Sequence, residues 1–376
     1  IRLVSQSFPG GHGSCISTLA QSSDGAIVVS GSGPVKGRSS DVNSALRVWT
    51  CSRQNELLAS FSLHQHDDSG VQSICILVDN FFVSVSCYDE QLEGCMMILW
   101  DAAGRMHASI HVPDVVFEVC AMPPHRLRRP AATSGLRIVS CGVEGVFVWT
   151  IQERKFKSSR IDLTQAPSDA CITSVMYMAD IWGLGPSLLL GSMDGWLSFW
   201  SQSSKSIVGS WHVRDADQNQ RDSIEIMNLY YSNSRVIVGA ADGTVTVWEL
   251  QKSRSVVPAS QTLSISEAQI TAMQWSEDGM TGLVGAADGV IHSVQLGEDV
   301  PAEDVLLCVA KSSTELPVAL DFVLGARLFE LLHVSTTASL RRHRGRQRCF
   351  GKGKSSASCL FLPRCRVLLL RPPAWR

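Results

Sequence analysis

Four side chains able to hold a metal ion crowd into five residues at His64-Gln65-His66-Asp67-Asp68. A closed site also draws a ligand from a distant segment and sits in a dry, rigid surround. Neither can be read here, and the stretch falls between two strand-rich units, so it reads as a solvated connection and no metal is assigned. Two further stretches have the look of phosphate cradles. GSGPVKGRS (31–39) has three glycines and a lysine, but a phosphate loop is Gly-x-x-x-x-Gly-Lys-Ser/Thr opening a helix, whose N-terminal amides meet the anion. A strand follows here instead, so the stretch is an insert. In GKGKSS (351–356) the position five before Gly353 is Arg348 rather than Gly. No nucleotide or other cofactor is therefore expected.

Nucleophile signatures are missing as well. There is no Gly-x-Ser-x-Gly elbow and no cysteine inside a catalytic signature with a matched histidine. The chain reads as a non-enzyme with no small-molecule substrate. Its 12 cysteines are scattered, without a Cys-x-x-Cys pair, and Cys75, Cys120, Cys141 and Cys171 fall inside strand-like runs. They read as reduced, mostly buried thiols of a cytoplasmic protein.

What remains is a constellation of charge. PPHRLRRP places Arg126, Arg128 and Arg129 in one connection, and QERKFKSSR places Arg154, Lys155, Lys157 and Arg160 a short way on. Positive side chains gathered on an acidic body suit a negatively charged protein partner. A solvated face with no partner is the plainer reading of the same residues.

The elements that must position these charges repeat along the chain. GAADGTVTVWEL (239–250) has Asp242-Gly243 between two alternating runs. Asp-Gly is a strong hairpin signal, because the tight turn needs positive φ, which Gly accepts freely. The pattern returns upstream in SLLLGSMDGWLSFWS, with Asp194, Gly195 and Trp200, and downstream in TGLVGAADGVIHSVQL, with Asp288, Gly289 and no Trp. Runs ending at Trp49, Trp100 and Trp149 complete six copies, about 50 residues from Trp to Trp. One period parses into four strands, from CITSVMYMAD, PSLLLGSMDG, WLSFWS and KSIVGSWHV. Self-similarity at this period, with several short strands per copy, is the mark of a radial β-repeat protein. A lone four-stranded sheet cannot bury both faces, so copies must stack, and the Trp is predicted to lie between them. Because antiparallel strands alternate in direction, the connections after the first and third strands of the third copy leave one face. The two basic segments are thus predicted to meet.

These copies resemble the blades of WD-repeat β-propellers, over residues 1 to about 300. A weaker seventh copy is expected in VLLCVAKSS plus PVALDFVLGARLFELLHV, giving a propeller over 1–340. The Gly-His start survives only at Gly11-His12 and the Trp-Asp ending only at Trp100-Asp101, while Glu144 replaces the turn Asp of the third copy. Inserts such as GSGPVKGRSSDVNSALRVW and SCYDEQLEGCMMILWD, followed by the bare SCGVEGVFVW, are similar to the echinoderm-microtubule-associated-protein-like group and its ciliary and centriolar relatives. That resemblance implies a non-catalytic scaffold of the cytoskeleton, in cilium, flagellum or centriole, whose partners are tubulin or axonemal and centriolar proteins. A general WD-repeat adaptor, in ubiquitin ligation or RNA processing for instance, is the alternative.

Composition agrees with a stacked β protein, at 45% hydrophobic and 18% charged residues. No apolar run reaches the 18 residues that argue for a membrane span, and no signal-peptide layout opens the chain. Its start at Ile1 reads as a fragment. The net charge of −2 hides an asymmetry: residues 341–376 carry 11 Lys and Arg and no acid, leaving 22 basic against 35 acidic residues in 1–340. The tail is expected to be disordered and to add nothing to the fold. Nucleic-acid binding is not expected of the chain.

Overall fold

The computed structural model describes residues 2–6, 16–22, 26–33, 45–50, 57–62, 70–77, 81–122, 135–179, 185–213, 224–232, 235–250, 261–276, 279–288, 290–296, 305–307, 320–325, 328–336 and 365–371. The first strand, β1, is Arg2–Gln6, and the next 24 form six four-stranded antiparallel blades in chain order. Blade 1 is β2 (Ile16–Gln21), β3 (Ile27–Ser32), β4 (Ala45–Thr50) and β5 (Leu57–Ser62). Blade 2 is β6 (Val71–Ile76), β7 (Phe81–Ser86), β8 (Cys95–Asp101) and β9 (Met106–Val112). Blade 3 is β10 (Val116–Met122), β11 (Leu136–Gly142), β12 (Gly145–Gln152) and β13 (Lys155–Arg160). Blade 4 is β14 (Ile172–Met178), β15 (Ser187–Ser192), β16 (Trp196–Ser201) and β17 (Ser206–His212). Blade 5 is β18 (Ile226–Ser232), β19 (Arg235–Ala240), β20 (Thr244–Glu249) and β21 (Gln261–Ser264). Blade 6 is β22 (Ile270–Trp275), β23 (Thr281–Ala286), β24 (Ile291–Gln295) and β25 (Val305–Leu307).

A seventh sheet joins the two ends of the chain. It is built from β26 (Leu320–Gly325), β27 (Leu328–Thr336), β28 (Cys365–Arg371) and, on its outer edge, β1. Its inner strand β26 lies against both β2 and β22, so this sheet closes the ring. Two expectations are corrected here. VLL (305–307) is the outer strand of blade 6, not part of a seventh copy. Seven tail residues also belong to the sheet, because β28 pairs with β27 on one side and with β1 on the other. An apolar run in the tail (Val367–Leu370) next to an unpaired N-terminal strand supplies the reason: each leaves backbone donors and acceptors that the other satisfies.

The tryptophans sit where the repeat predicts. Trp49, Trp100, Trp149, Trp200 and Trp248 are all buried, and each of the last four packs on the preceding blade. Trp100 meets Val29, Leu46 and Val48 of blade 1. Trp200 meets Val139, Val146 and Val148 of blade 3. In blades 1 to 3 the indole N–H donates to a buried serine on the adjacent strand, at 2.9 Å to Ser30, Ser84 and Ser140 respectively. Blade 4 has Leu190 at that register position, and Trp200 Nε1 has no acceptor among the described residues.

Blade 6, whose third strand lacks a Trp, solves the packing differently. Trp275 of β22 pairs with Gly282 of β23, which pairs in turn with Val294 of β24, in the row that carries the Trp in other blades. Directly opposed residues of a sheet point to the same face. The indole has therefore moved two strands inward along one row, and Gly282 leaves it room. Trp275 is 0% exposed, in a cluster with Val284, Val294 and Val247 of blade 5.

Candidate functional site

Alternation of strand direction sorts the connections into two faces. Those after the first and third strands of each blade leave one face, called the lower. The turns after the second strand and the links between blades leave the other, called the upper.

On the upper face one contact recurs. The first residue past the second strand donates its N–H to the carbonyl just before the first strand, in Cys87→Gly70, Val143→Val115, Met193→Cys171, Ala241→Glu225 and Ala287→Gln269, at 2.9 to 3.2 Å. The tight turns are thereby pinned to the inter-blade links. Gly195 and Gly243 adopt φ of 89° and 79°, as the Asp-Gly signal requires. Asp242 accepts from Thr244 N, and Asp288 from Val290 N, so the turn carboxylates also fix their own hairpins.

On the lower face the expected cations divide. Arg126, Arg128 and Arg129 fall in 123–134, outside the described residues. Arg154 stands in the tight turn after β12, where Glu153 and Arg154 both have positive φ. Lys155 and Lys157 are not in that turn but on the outer strand β13, opposite Gln152 and Thr150. Sequence pattern alone groups them with the connection, because a two-residue turn consumes so little chain. Phe156 turns onto Trp149, ring centroids 6.3 Å apart and edge to face, and strand alternation sends Lys155 and Lys157 to the opposite surface. All three cations are exposed, and none forms an ion pair among the described residues.

Two residues missed in the sequence extend this edge. Arg105 and Lys205 occupy the corresponding turns of blades 2 and 4, and both are exposed. The available signal was their position after the third strand of neighbouring copies. Arg105 is partly neutralised by Asp101, at 3.0 Å. Partial burial pushes the Asp101 carboxyl up, but hydrogen bonds from His107 and Arg105 outweigh it and hold the group below the usual carboxylate range.

The inner strands build a third feature. Each of the six carries a register shift at its second residue: between Ile16 and Thr18, Val71 and Ser73, Val116 and Glu118, Ile172 and Ser174, Ile226 and Asn228, and Ile270 and Ala272. Such bulges re-aim side chains. Polar groups around this position stitch neighbouring blades together. Ser17 Oγ donates to Val71 O, Thr173 Oγ1 to Ile226 O at 2.7 Å, and Val119 N to Ser73 Oγ at 3.2 Å. Glu118 Oε2 accepts from Ser174 Oγ and Val175 N of blade 4, both at 2.8 Å. Burial pushes the Glu118 carboxyl up to about 7, although those two hydrogen bonds favour its charged form. Glu118, Gln72, Thr173 and Asn228 line a central cavity of about 450 Å³.

Of the four cysteines expected in strands, Cys75, Cys120 and Cys141 lie in β6, β10 and β11, while Cys171 stands just before β14. Cys75, Cys95 and Cys141 are buried, Cys87, Cys120 and Cys171 are partly so, and all six are free thiols. Burial raises Cys75, Cys95, Cys120 and Cys141 above the ordinary thiol range, which makes them poor nucleophiles. His64, His66, Asp67 and Asp68 lie outside the described residues.

No protein-family model and no curated protein matches the chain. Among solved structures it is similar to the β-propeller domain of Cps50 (Swd1) from Myceliophteria thermophila, with a TM-score of 0.65 and 12% identity, over 97% of this chain and 98% of that one. The architecture of the chain is that of a β-propeller built from four-stranded antiparallel blades.

Proposed function

We propose that the chain is a non-catalytic docking propeller whose lower edge on blades 2 to 4 engages an acidic protein surface, that of the microtubule in cilium, axoneme or centriole. The observation that carries the proposal is the row of exposed cations at Arg105, Arg154, Lys155, Lys157 and Lys205, spread over three consecutive blades. Residues 1–340 are otherwise acidic, so attraction to an acidic lattice must come from a local patch. The inserts of the first three copies, which resemble the echinoderm-microtubule-associated-protein-like group, support the choice of partner. The sequence expectation that Arg126, Arg128 and Arg129 leave the same face makes them part of the proposed patch.

The test is co-sedimentation with polymerised tubulin at physiological and raised salt. Exposed charges are screened beyond about 8 Å at physiological ionic strength, so binding should fall steeply as salt is added. Substituting Arg128, Arg129, Lys155 and Lys157 with Glu should abolish pelleting while leaving the melting temperature unchanged. A variant that pellets as wild type does refutes the patch. Wild type that never pellets refutes the microtubule and leaves the adaptor reading.

A further inference from the structure

The upper face of blades 3 and 4 holds a groove of about 570 Å³. One wall is the tight turn of blade 3, Val143, Glu144 and Gly145, and the other is the link Ile161–Cys171 that leads into blade 4. The Cys171 carbonyl at the far wall accepts from Met193 N at 2.9 Å, so the tight turn of blade 4 adjoins the link that forms this wall, on its other side.

Two properties of these walls concern a ligand. The first is apolar exposure. Val143 and Met193 are 49% and 40% exposed, and Tyr88, in the corresponding turn of blade 2, is 43% exposed. Only five large hydrophobics are exposed among the described residues, and three of them stand on these turns. The backbone contact that pins each turn to its link fixes these side chains outward. Their outward setting is therefore part of the blade and not of a loose loop. The second property is charge. Glu144, Asp162 and Asp169 line the groove against the cation Arg160, and the neighbouring upper turns add Asp89, Glu90, Glu93 and Asp194. Hydrogen bonds from Thr164 hold the exposed Asp162 carboxyl below the usual range, so it stays charged. Exposed apolar surface rimmed by polar groups marks an interaction site, and the sign of the rim selects the partner.

We propose that this groove docks a basic peptide segment of a partner protein. An apolar side chain of that segment packs on Val143 in the groove and reaches over the link toward Met193 on the adjoining turn, and flanking Lys or Arg residues face Glu144, Asp162 and Asp169. The upper face thus takes a cationic ligand, opposite in sign to the partner assigned to the lower edge. The two proposals stand independently.

The test uses the full chain and a fluorescein-labelled nonapeptide of Lys-Arg-Leu repeated three times, followed by anisotropy at physiological salt. Two control peptides carry Ser for Leu, or Glu for Lys and Arg. The Lys-Arg-Leu peptide should bind, the Glu peptide should not, and the Ser peptide should bind at least fivefold more weakly. Glu144→Lys with Asp169→Lys should weaken binding tenfold or more, and Val143→Ser with Met193→Ser at least fivefold. Lys155→Glu with Lys157→Glu should change nothing, which separates this site from the lower edge. Equal binding of the Leu and Ser peptides, or unchanged binding by either upper-face variant, would show general attraction to an acidic body and overturn the groove. Tighter binding after removal of residues 341–354 would make the chain's own basic segment the occupant and overturn the partner peptide. A rise in mass with protein concentration that the Val143/Met193 variant removes would identify a second copy as the occupant and would likewise overturn the partner peptide.

Discussion

A methyl group added at Gly282 tests the displaced indole of blade 6. A Cβ built on Gly282 would stand 2.4 to 2.7 Å from three atoms of the Trp275 ring. Carbon atoms prefer about 3.5 to 4.0 Å, so the ring must retreat by about 1 Å in a site where it is fully buried. Overpacking of this kind costs about 1–3 kcal/mol, which sets the expected loss for Gly282→Ala. Trp275→Ala alone removes a large core aromatic and should cost about 3–5 kcal/mol. With the ring gone the clash is gone. Gly282→Ala in that background should then be neutral or stabilise by about 0.5–1 kcal/mol, because Gly in a strand loses more freedom on folding than Ala. The four proteins form a double-mutant cycle, read by thermal unfolding of the full chain with near-ultraviolet circular dichroism. A change of sign for Gly282→Ala between the two backgrounds is the expected result. If the substitution costs the same with and without Trp275, the indole does not occupy the space over Gly282, and the account of blade 6 is refuted.

Ser140→Ala leaves the buried Trp149 N–H without its acceptor and should cost about 1–3 kcal/mol, measured as a lowered melting temperature; no change would mean that water replaces the hydroxyl. Glu118→Gln keeps an acceptor for Ser174 and Val175 but removes titration. The folded carboxyl holds its proton to about pH 7, against 4.5 for the ordinary group. The folded state therefore binds more protons in that window, and the stability of wild type falls as pH rises through it. The melting temperature of the variant relative to wild type should accordingly be higher at pH 8 than at pH 5, and a pH-independent difference would place Glu118 in ordinary solvent. Truncation after Leu340 removes β28 from between β27 and β1, so the melting temperature should drop; an unchanged melt would show that the ring closes without the tail.

Much of the architecture is written in local chemistry. The Asp-Gly turns, the alternating runs around them and the recurring Trp are signals within a dozen residues, because a hairpin's turn geometry and a strand's two faces are decided by neighbours in sequence. They give the blade, its period and the burial of Trp100, Trp149, Trp200 and Trp248. They also give the direction of the turn carrying Arg154, since antiparallel order alone dictates it. Only the tertiary structure decides what depends on residues far apart in the chain. That Trp275 serves for the missing third-strand Trp needs the row through Gly282 and Val294. That β28 joins β1 needs two segments about 360 residues apart, and no local pattern connects them. The groove beside Val143 is likewise invisible in sequence, because its walls come from a turn and a link that meet only when blades 3 and 4 stack. A residue's type fixes which strand it can enter and which side of that strand it faces; the ring fixes what it meets there, because each blade completes its core and its surface only against the next.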